Sequence, residues 1–212
     1  PGFFLDGKRS KKVLHNLIEA HVQAYDIIKE FDDNDADNDG NPCIVGGSHM
    51  MIDVSPGKSK NFLGISIKDN ANAAKRFDYF VNDYFINAIT KGYEDVNYLN
   101  TLEIGNKYNK DFLIHESWID KIDFIGLNYY RKMVVYDNKI VSLSSANFIG
   151  GAVTSNLHTQ RKRIADDTIL NDLGWEIYPI GLYNMAIKIN KCTNVPIIIT
   201  ENGIADKKKK NR

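Results

Sequence analysis

The stretch NVPIIITENG, residues 194–203, decides how the chain is read. Val195, Ile197, Ile198 and Ile199 form a β-branched apolar run that stops at Thr200, Glu201, Asn202 and Gly203. A short apolar run bounded by turn residues is the pattern of a strand covered on both faces. A carboxylate at the tip of such a strand needs water or a hydrogen-bond donor to hold its charge. Spacing alone leaves two readings of Glu201 open: a solvated turn residue, or a site carboxylate oriented by a neighbour.

Upstream, DFIGLNYY (residues 123–130) gives a second apolar run that finishes on Asn128, Tyr129 and Tyr130. CIVGGSHM (43–50) reads as a third strand. Between these runs lie helical patterns. In SKKVLHNLIEAHVQAYDIIKEF (10–31), Ser10 is placed to cap, and Leu14, Leu17, Ile18, His21, Tyr25 and Ile28 recur at helical spacing. In DNANAAKRFDYFVNDYFINAITKG (69–92), Ala73, Ala74, Phe77, Phe80, Val81, Tyr84, Phe85 and Ala88 form one face, and Gly92 is the stop. YPIGLYNMAIKINK (178–191) is a third helix with Pro179 in its first turn. Residues 141–174 are Gly/Ser-rich with weak periodicity and read as an excursion loop. Apolar strands separated by helices predict an α/β fold, a parallel sheet covered by helices, in one domain. Three strands alone make a poor closed sheet.

In barrels of alternating strands and helices, the C-terminal strand ends line the site. Two successive strands therefore deliver a carboxylate (Glu201), an amide (Asn128) and a phenol (Tyr130) to one end. A carboxylate can act as a nucleophile if a donor orients it and keeps it ionised, and Tyr130 is placed to be that donor.

Four blocks resemble one family. PIIITENGIAD is similar to the nucleophile signature of the family 1 glycoside hydrolases, the β-glucosidase and β-galactosidase family. DFIGLNYY resembles that family's sixth-strand motif, DLGWEIYPIGLYNM (172–185) the segment before its seventh strand, and NLIEAHVQAYDIIKE (16–30) the helix after its fourth. The blocks occur in family order. The resemblance implies a (β/α)8 TIM barrel that hydrolyses β-glycosides with retention of configuration and without a cofactor or metal. It implies Glu201 as the nucleophile that forms a glycosyl-enzyme. Tyr130 is implied as the residue that hydrogen-bonds this nucleophile, and Asn128 as a site hydrogen-bonding residue. Trp175 is expected either to help wall the sugar site or to pack in the core.

The departures are as specific. Retention uses two carboxylates about 5–5.5 Å apart, and the family's acid/base lies in a Thr-x-Asn-Glu-Pro motif that this chain does not contain. By resemblance that glutamate belongs upstream of Pro1, and the eighth-strand sugar contacts downstream of ENGIAD. A complete barrel of this kind takes roughly 250 residues or more, against 212 here. The expectation is a partial barrel, about helix 4 through strand 7, as one incomplete domain over residues 1–212. GGSHMMIDVSP matches the fifth-strand region loosely. The alternative is a catalytically inactive remnant, or a weak sugar-binding fragment.

Composition is compatible with this reading. With 43% hydrophobic and 25% charged residues and 27 basic against 27 acidic side chains, the chain offers no charge imbalance for nucleic acid or anionic lipid. No apolar run reaches the ~20 residues that span a bilayer. With no leader pattern, a cytoplasmic protein is expected, with a small β-glycoside or oligosaccharide as partner and no oligomeric state implied. Cys43 and Cys192 are too far apart for a disulfide framework and read as small apolar residues. DADNDG (35–40) fits half a calcium loop, but Gly46 stands where the bidentate acid belongs, so a solvated acidic turn is expected. His21 reads as a core histidine, His49 as near a strand end, and KKKKNR as a solvated end. VGGSH and FIGGA pair glycines without the G-x-G-x-x-G or P-loop pattern of a nucleotide site.

Overall fold

The computed structural model of the chain describes residues 7–31, 35, 38, 40, 43–57, 61–62, 65–66, 70–95, 112–137, 152–154 and 169–206. Its centre is a parallel trio of strands, β1 (Gly46–Pro56), β6 (Phe124–Asp137) and β8 (Ile197–Asn202), with β6 in the middle. The short β7 (Ala152–Thr154) pairs antiparallel with the far end of β6. β7 falls inside the segment expected to be a loop; three residues carry too little pattern to register as a strand.

Helices cover one face of the trio. In α1 (Gly7–Phe31), Ile18 and Val22 are buried and Leu14 packs beside them. Leu17 and Ile28 are exposed instead, because α1 rests on its neighbours along a narrow stripe. The helix starts at Gly7, so Ser10 lies within it rather than capping it. The second helical region runs as α2 (Asn70–Asp78), a π turn (Tyr79–Asp83) and α3 (Tyr84–Lys91). Gly92 ends it with φ +68°, its N–H bonded to the Asn87 and Ala88 carbonyls, as the glycine predicted. The last helix, α4 (Ile180–Cys192), begins just after Pro179.

The π turn has an identifiable cause. Where β1 and β6 run side by side, two residues of β6 oppose the single Ile52, a bulge in the ladder. Asn82, fully buried in the π turn, accepts a hydrogen bond from the Ile52 N–H at 2.9 Å and donates to the Ile52 carbonyl at 2.8 Å. The extra helical residue brings the carboxamide to these backbone groups. π-bulges at such special positions are a recurring device.

A hairpin that the sequence did not announce, β4 (Gly92–Asp95) with β5 (Phe112–Ile119), packs beside α3. A second small ribbon pairs β2 (Asn61–Phe62) with β3 (Ile65–Ser66). The main core lies between helices and sheet: Ile18, Met51, Ile89, Trp118, Ile125, Leu127 and Ile189 are all essentially inaccessible. A second cluster joins Ile52, Ala73, Ala74, Phe77, Met133 and Val135. On the other side of the sheet, Ser48, Met50 and Thr200 are exposed, and Asn128 and Tyr130 half-exposed. Among the described residues the sheet does not close on itself, and β1 and β8 each pair on one side only. No described helix is long and apolar enough to cross a membrane.

Candidate active site

Because β1, β6 and β8 are parallel, the C-terminal end of β8 falls beside Asn128 and Tyr129 in the middle of β6, while β1 and β6 run on past it to Pro56 and Asp137. β-strands alternate faces residue by residue, so Asn128 and Tyr130 share a face of β6. Their partners on β8 are consecutive, not alternate. Thr200 Oγ1 donates to Asn128 Oδ1 at 2.5 Å, and Tyr130 Oη donates to Glu201 Oε2 at 2.7 Å. A bulge resolves the mismatch. The register runs Leu127 opposite Ile199 and then Asn128 opposite Glu201, leaving Thr200 as the additional residue. The local kink turns both Thr200 and Glu201 toward the open face.

The Tyr130 phenol is held protonated: its hydrogen bond to Glu201, then burial and the carboxylate's charge, raise its pKa above the ordinary value. The pair is open to solvent, and no other hydrogen bond reaches Glu201 among the described residues. Asn202 secures the strand tip from the other side, its Nδ2 donating to the Tyr129 carbonyl at 2.7 Å. Below this level Gly126 is required for close approach. A Cβ there would stand 3.0 Å from the Thr200 side chain and 3.1 Å from Ser48 Cα.

The neighbouring Tyr129 faces the helices. It is buried and donates to the Tyr178 carbonyl at 2.8 Å, and a side chain on Gly181 would collide with its hydroxyl. Burial pushes its phenol up. Adjacent tyrosines thus have opposite duties, one anchoring α4 and one holding Glu201.

Ser48 and Thr200 were not singled out by sequence. Ser48 Oγ lies 3.1 Å from Asn128 Oδ1 and 2.8 Å from Thr200 Oγ1, so three strands share one polar cluster. The available signal was period-two spacing, which puts Ser48 on the face of Met50, and the position of Thr200 immediately before Glu201.

Trp175 stacks against Arg131, whose guanidinium carbon is 4.6 Å from the ring centroid. Burial lowers the Arg131 pKa. Lys132 sits similarly over Tyr178, at 4.2 Å. These cation–π contacts pin the segment before α4 to the middle of β6. His49 is not in the cleft: its imidazole is turned away, Nε2 donating to the Val81 carbonyl at 3.0 Å and its ring stacked near Phe85. Burial pushes its pKa down. His21 is hydrogen-bonded as expected, its Nε2 donating to the Lys121 carbonyl at 2.8 Å, but it is half-buried rather than in the core. Cys43 and Cys192 are not joined in a disulfide, and burial pushes the Cys192 thiol up. At the acidic turn, the Gly40 N–H donates to Asp35 at 2.9 Å and Gly40 takes φ +86°. Gly46 and Gly47 lie inside β1, not in a phosphate-binding turn before a helix. Most of FIGGA and all of KKKKNR lie outside the described residues. Among those described, no group of three or more His, Cys, Asp or Glu side chains could hold a metal ion.

Comparison with known proteins places the chain in a family. A β-galactosidase of Pyrococcus woesei is 31% identical over 211 residues, covering 98% of this chain and 38% of that protein. A 6-phospho-β-galactosidase of Staphylococcus aureus is 27% identical over 222 residues, covering 98% and 44% respectively. Among solved structures, the family 1 β-glucosidase of Thermotoga maritima superposes with a TM-score of 0.61 at 25% identity, over 92% of this chain and 37% of that one. A rice β-glucosidase gives 0.64 at 20% identity, over 94% and 40%. The chain therefore spans well under half the length of these relatives. The model of the family described as glycosyl hydrolase family 1 matches residues 1–212, and the chain belongs to that family.

Proposed function

We propose that this chain is the nucleophile-bearing part of a retaining β-glycosidase. The observation that carries the reading is the Tyr130–Glu201 hydrogen bond at the C-terminal end of β8, inside a parallel sheet. It gives the carboxylate one fixed oxygen and leaves the other free to react. In the proposed reaction Glu201 attacks the anomeric carbon while the glycosidic C–O bond breaks. The departing oxygen takes a proton from a general acid. Water then hydrolyses the glycosyl ester and regenerates the carboxylate. No cofactor takes part. The substrate is a small β-glucoside, β-galactoside or oligosaccharide, and Asn128, Tyr130 and Trp175 contribute to its site. The fold is read as a (β/α)8 barrel from about helix 4 to strand 7, with residues 1–212 as one incomplete domain.

Treatment with an activated 2-deoxy-2-fluoro β-glycoside should trap the ester, and peptide mapping should find it on Glu201. A stable label on any other residue sinks the assignment.

The absence of an Asn-Glu-Pro motif favours a second reading for the 212 residues acting alone: a weak sugar binder without turnover. Loss of general-acid assistance usually costs about 10²–10⁴-fold. Measurable hydrolysis by the purified chain refutes that version.

A further inference from the structure

The polar cluster at Ser48, Asn128 and Thr200 fixes the direction of one amide. A carboxamide can turn over about its last bond, exchanging a donor for an acceptor at the same place. In the structure the oxygen faces Thr200, which donates to it in a contact shorter than an ordinary hydrogen bond, and the two hydroxyls around it, Thr200 and Ser48, can both donate to an oxygen. Ser48 lies within reach of the same oxygen, at 3.1 Å, and of Thr200 Oγ1, at 2.8 Å. It reinforces that orientation either directly or by donating to the threonine. Turning the amide over would force its nitrogen against Thr200 and push the strands apart.

We infer that Ser48 and Thr200 are positioning residues that make Asn128 a one-way donor. With Oδ1 engaged, Nδ2 is the end left over. It makes no hydrogen bond among the described residues, although Asn128 is half-exposed on the open face beside Tyr130 and Glu201. The ligand group it takes is an acceptor oxygen on the glycosyl unit held by Glu201. This refines the glycosidase reading above and rests on it for the identity of the ligand. The amide orientation does not depend on that reading.

Three variants test the inference: Thr200→Val, which keeps shape and removes the hydroxyl, Thr200→Ser, which keeps the hydroxyl, and Ser48→Ala. The first readout is the side-chain carbonyl carbon of Asn128, followed by NMR in selectively labelled protein and assigned with Asn128→Asp. Thr200→Val should shift this carbon upfield as the carbonyl loses its donor, with a smaller shift for Ser48→Ala and near-recovery in Thr200→Ser. The second uses the full-length enzyme with β-glycosides deoxygenated at one ring position at a time. Thr200→Val should lower kcat/KM roughly 10-fold, the scale of one hydrogen bond to a fixed partner. That loss should vanish for one deoxy substrate, the one lacking the acceptor oxygen. Equal losses in Thr200→Val and Thr200→Ser, an unmoved carbonyl carbon, or equal sensitivity of all deoxy substrates overturns the inference. If the full-length enzyme cleaves no β-glycoside, the glycosidase reading fails. The carbonyl shift then still decides the orientation of the amide.

Discussion

At the scale of single residues, the site turns on how a phenol and a carboxylate share one proton. Tyr130 is half-exposed, yet its pKa is raised because ionising it would break the bond to Glu201 and set two negative charges side by side. A group whose pKa is raised on folding adds stability below its unfolded value, about 10 for tyrosine. That contribution disappears as pH climbs through the higher folded value. A spectroscopic titration of tyrosinate should therefore show one late-titrating phenol fewer in Tyr130→Phe than in the wild type, where Tyr129 and Tyr25 also titrate late. Glu201→Gln should bring the same phenol back toward ordinary behaviour; an unchanged late phase in that variant would mean that Glu201 is not the cause. In the full-length enzyme, Tyr130→Phe should lower kcat by about 10-fold or more, with little change in KM, measured by steady-state kinetics. A fixed donor to a reacting carboxylate is worth about that much. Glu201, Asn128 and Tyr130 were legible in the sequence because each ends an apolar run. Ser48 and Thr200 were not. Small hydroxyl residues are common in strands, and only the bulge, which leaves no mark in composition, brings these two to one amide.

At the scale of elements, backbone irregularities are matched in pairs. The bulge beside Ile52 is met by the π turn that carries Asn82, and the carboxamide satisfies both backbone groups of Ile52. Asn82 also donates to Asp78 Oδ1 at 2.6 Å. Leaving a buried donor and acceptor unpaired costs about 1–3 kcal/mol each, so Asn82→Leu should destabilise the protein by about 2–5 kcal/mol in urea unfolding. A loss under about 1 kcal/mol would show that water or a shifted backbone replaces the amide. The same π turn carries Asp83, and with Asp78 it holds Lys188 of α4, at 3.0 and 2.6 Å. Burial would lower the Lys188 pKa, but the two carboxylates outweigh it and the net shift is upward. Lys188→Met should then destabilise markedly, because two like charges lose their shared counter-ion; thermal melts with and without added salt would check it. Sequence periodicity gave the helix from Asn70 to Gly92 correctly as a continuous pattern. The π turn was illegible, since one extra residue per five barely disturbs the spacing of Phe77, Phe80 and Tyr84.

At the scale of the whole molecule, the sheet is well covered on one face and bare on the other. Ile198 and Ile199 are 44% and 55% exposed although they lie next to each other on one strand and so point to opposite faces. Among the described residues β8 also pairs on one edge only. An apolar strand open on its edge and both faces invites pairing with other chains. The 212-residue chain by itself should bind a hydrophobic dye and self-associate with rising concentration, as seen by light scattering. Ile199→Lys should reduce both signals, and a monodisperse, dye-negative wild-type chain would contradict this picture. The alternation of strands and helices was readable because parallel strands require apolar runs. The β4–β5 hairpin was not: Leu113 and Ile114 are both exposed while Trp118 is inaccessible, so FLIHESWI shows no clean alternation.

The bulge at Thr200 has a genetic counterpart. Loss of a single codon from the three that encode Ile197, Ile198 and Ile199 would alter neither the strand's composition nor its apolar character. Thr200 would then shift to pair with Leu127 and the bulge would vanish, since Asn128 already stands opposite Glu201. Regular alternation would turn Thr200 to the other face, away from Asn128, while Glu201 keeps its partner. The extra residue is thus inherited as strictly as the polar side chains it aligns, and an in-frame deletion there would disturb the proposed site without touching any of its residues.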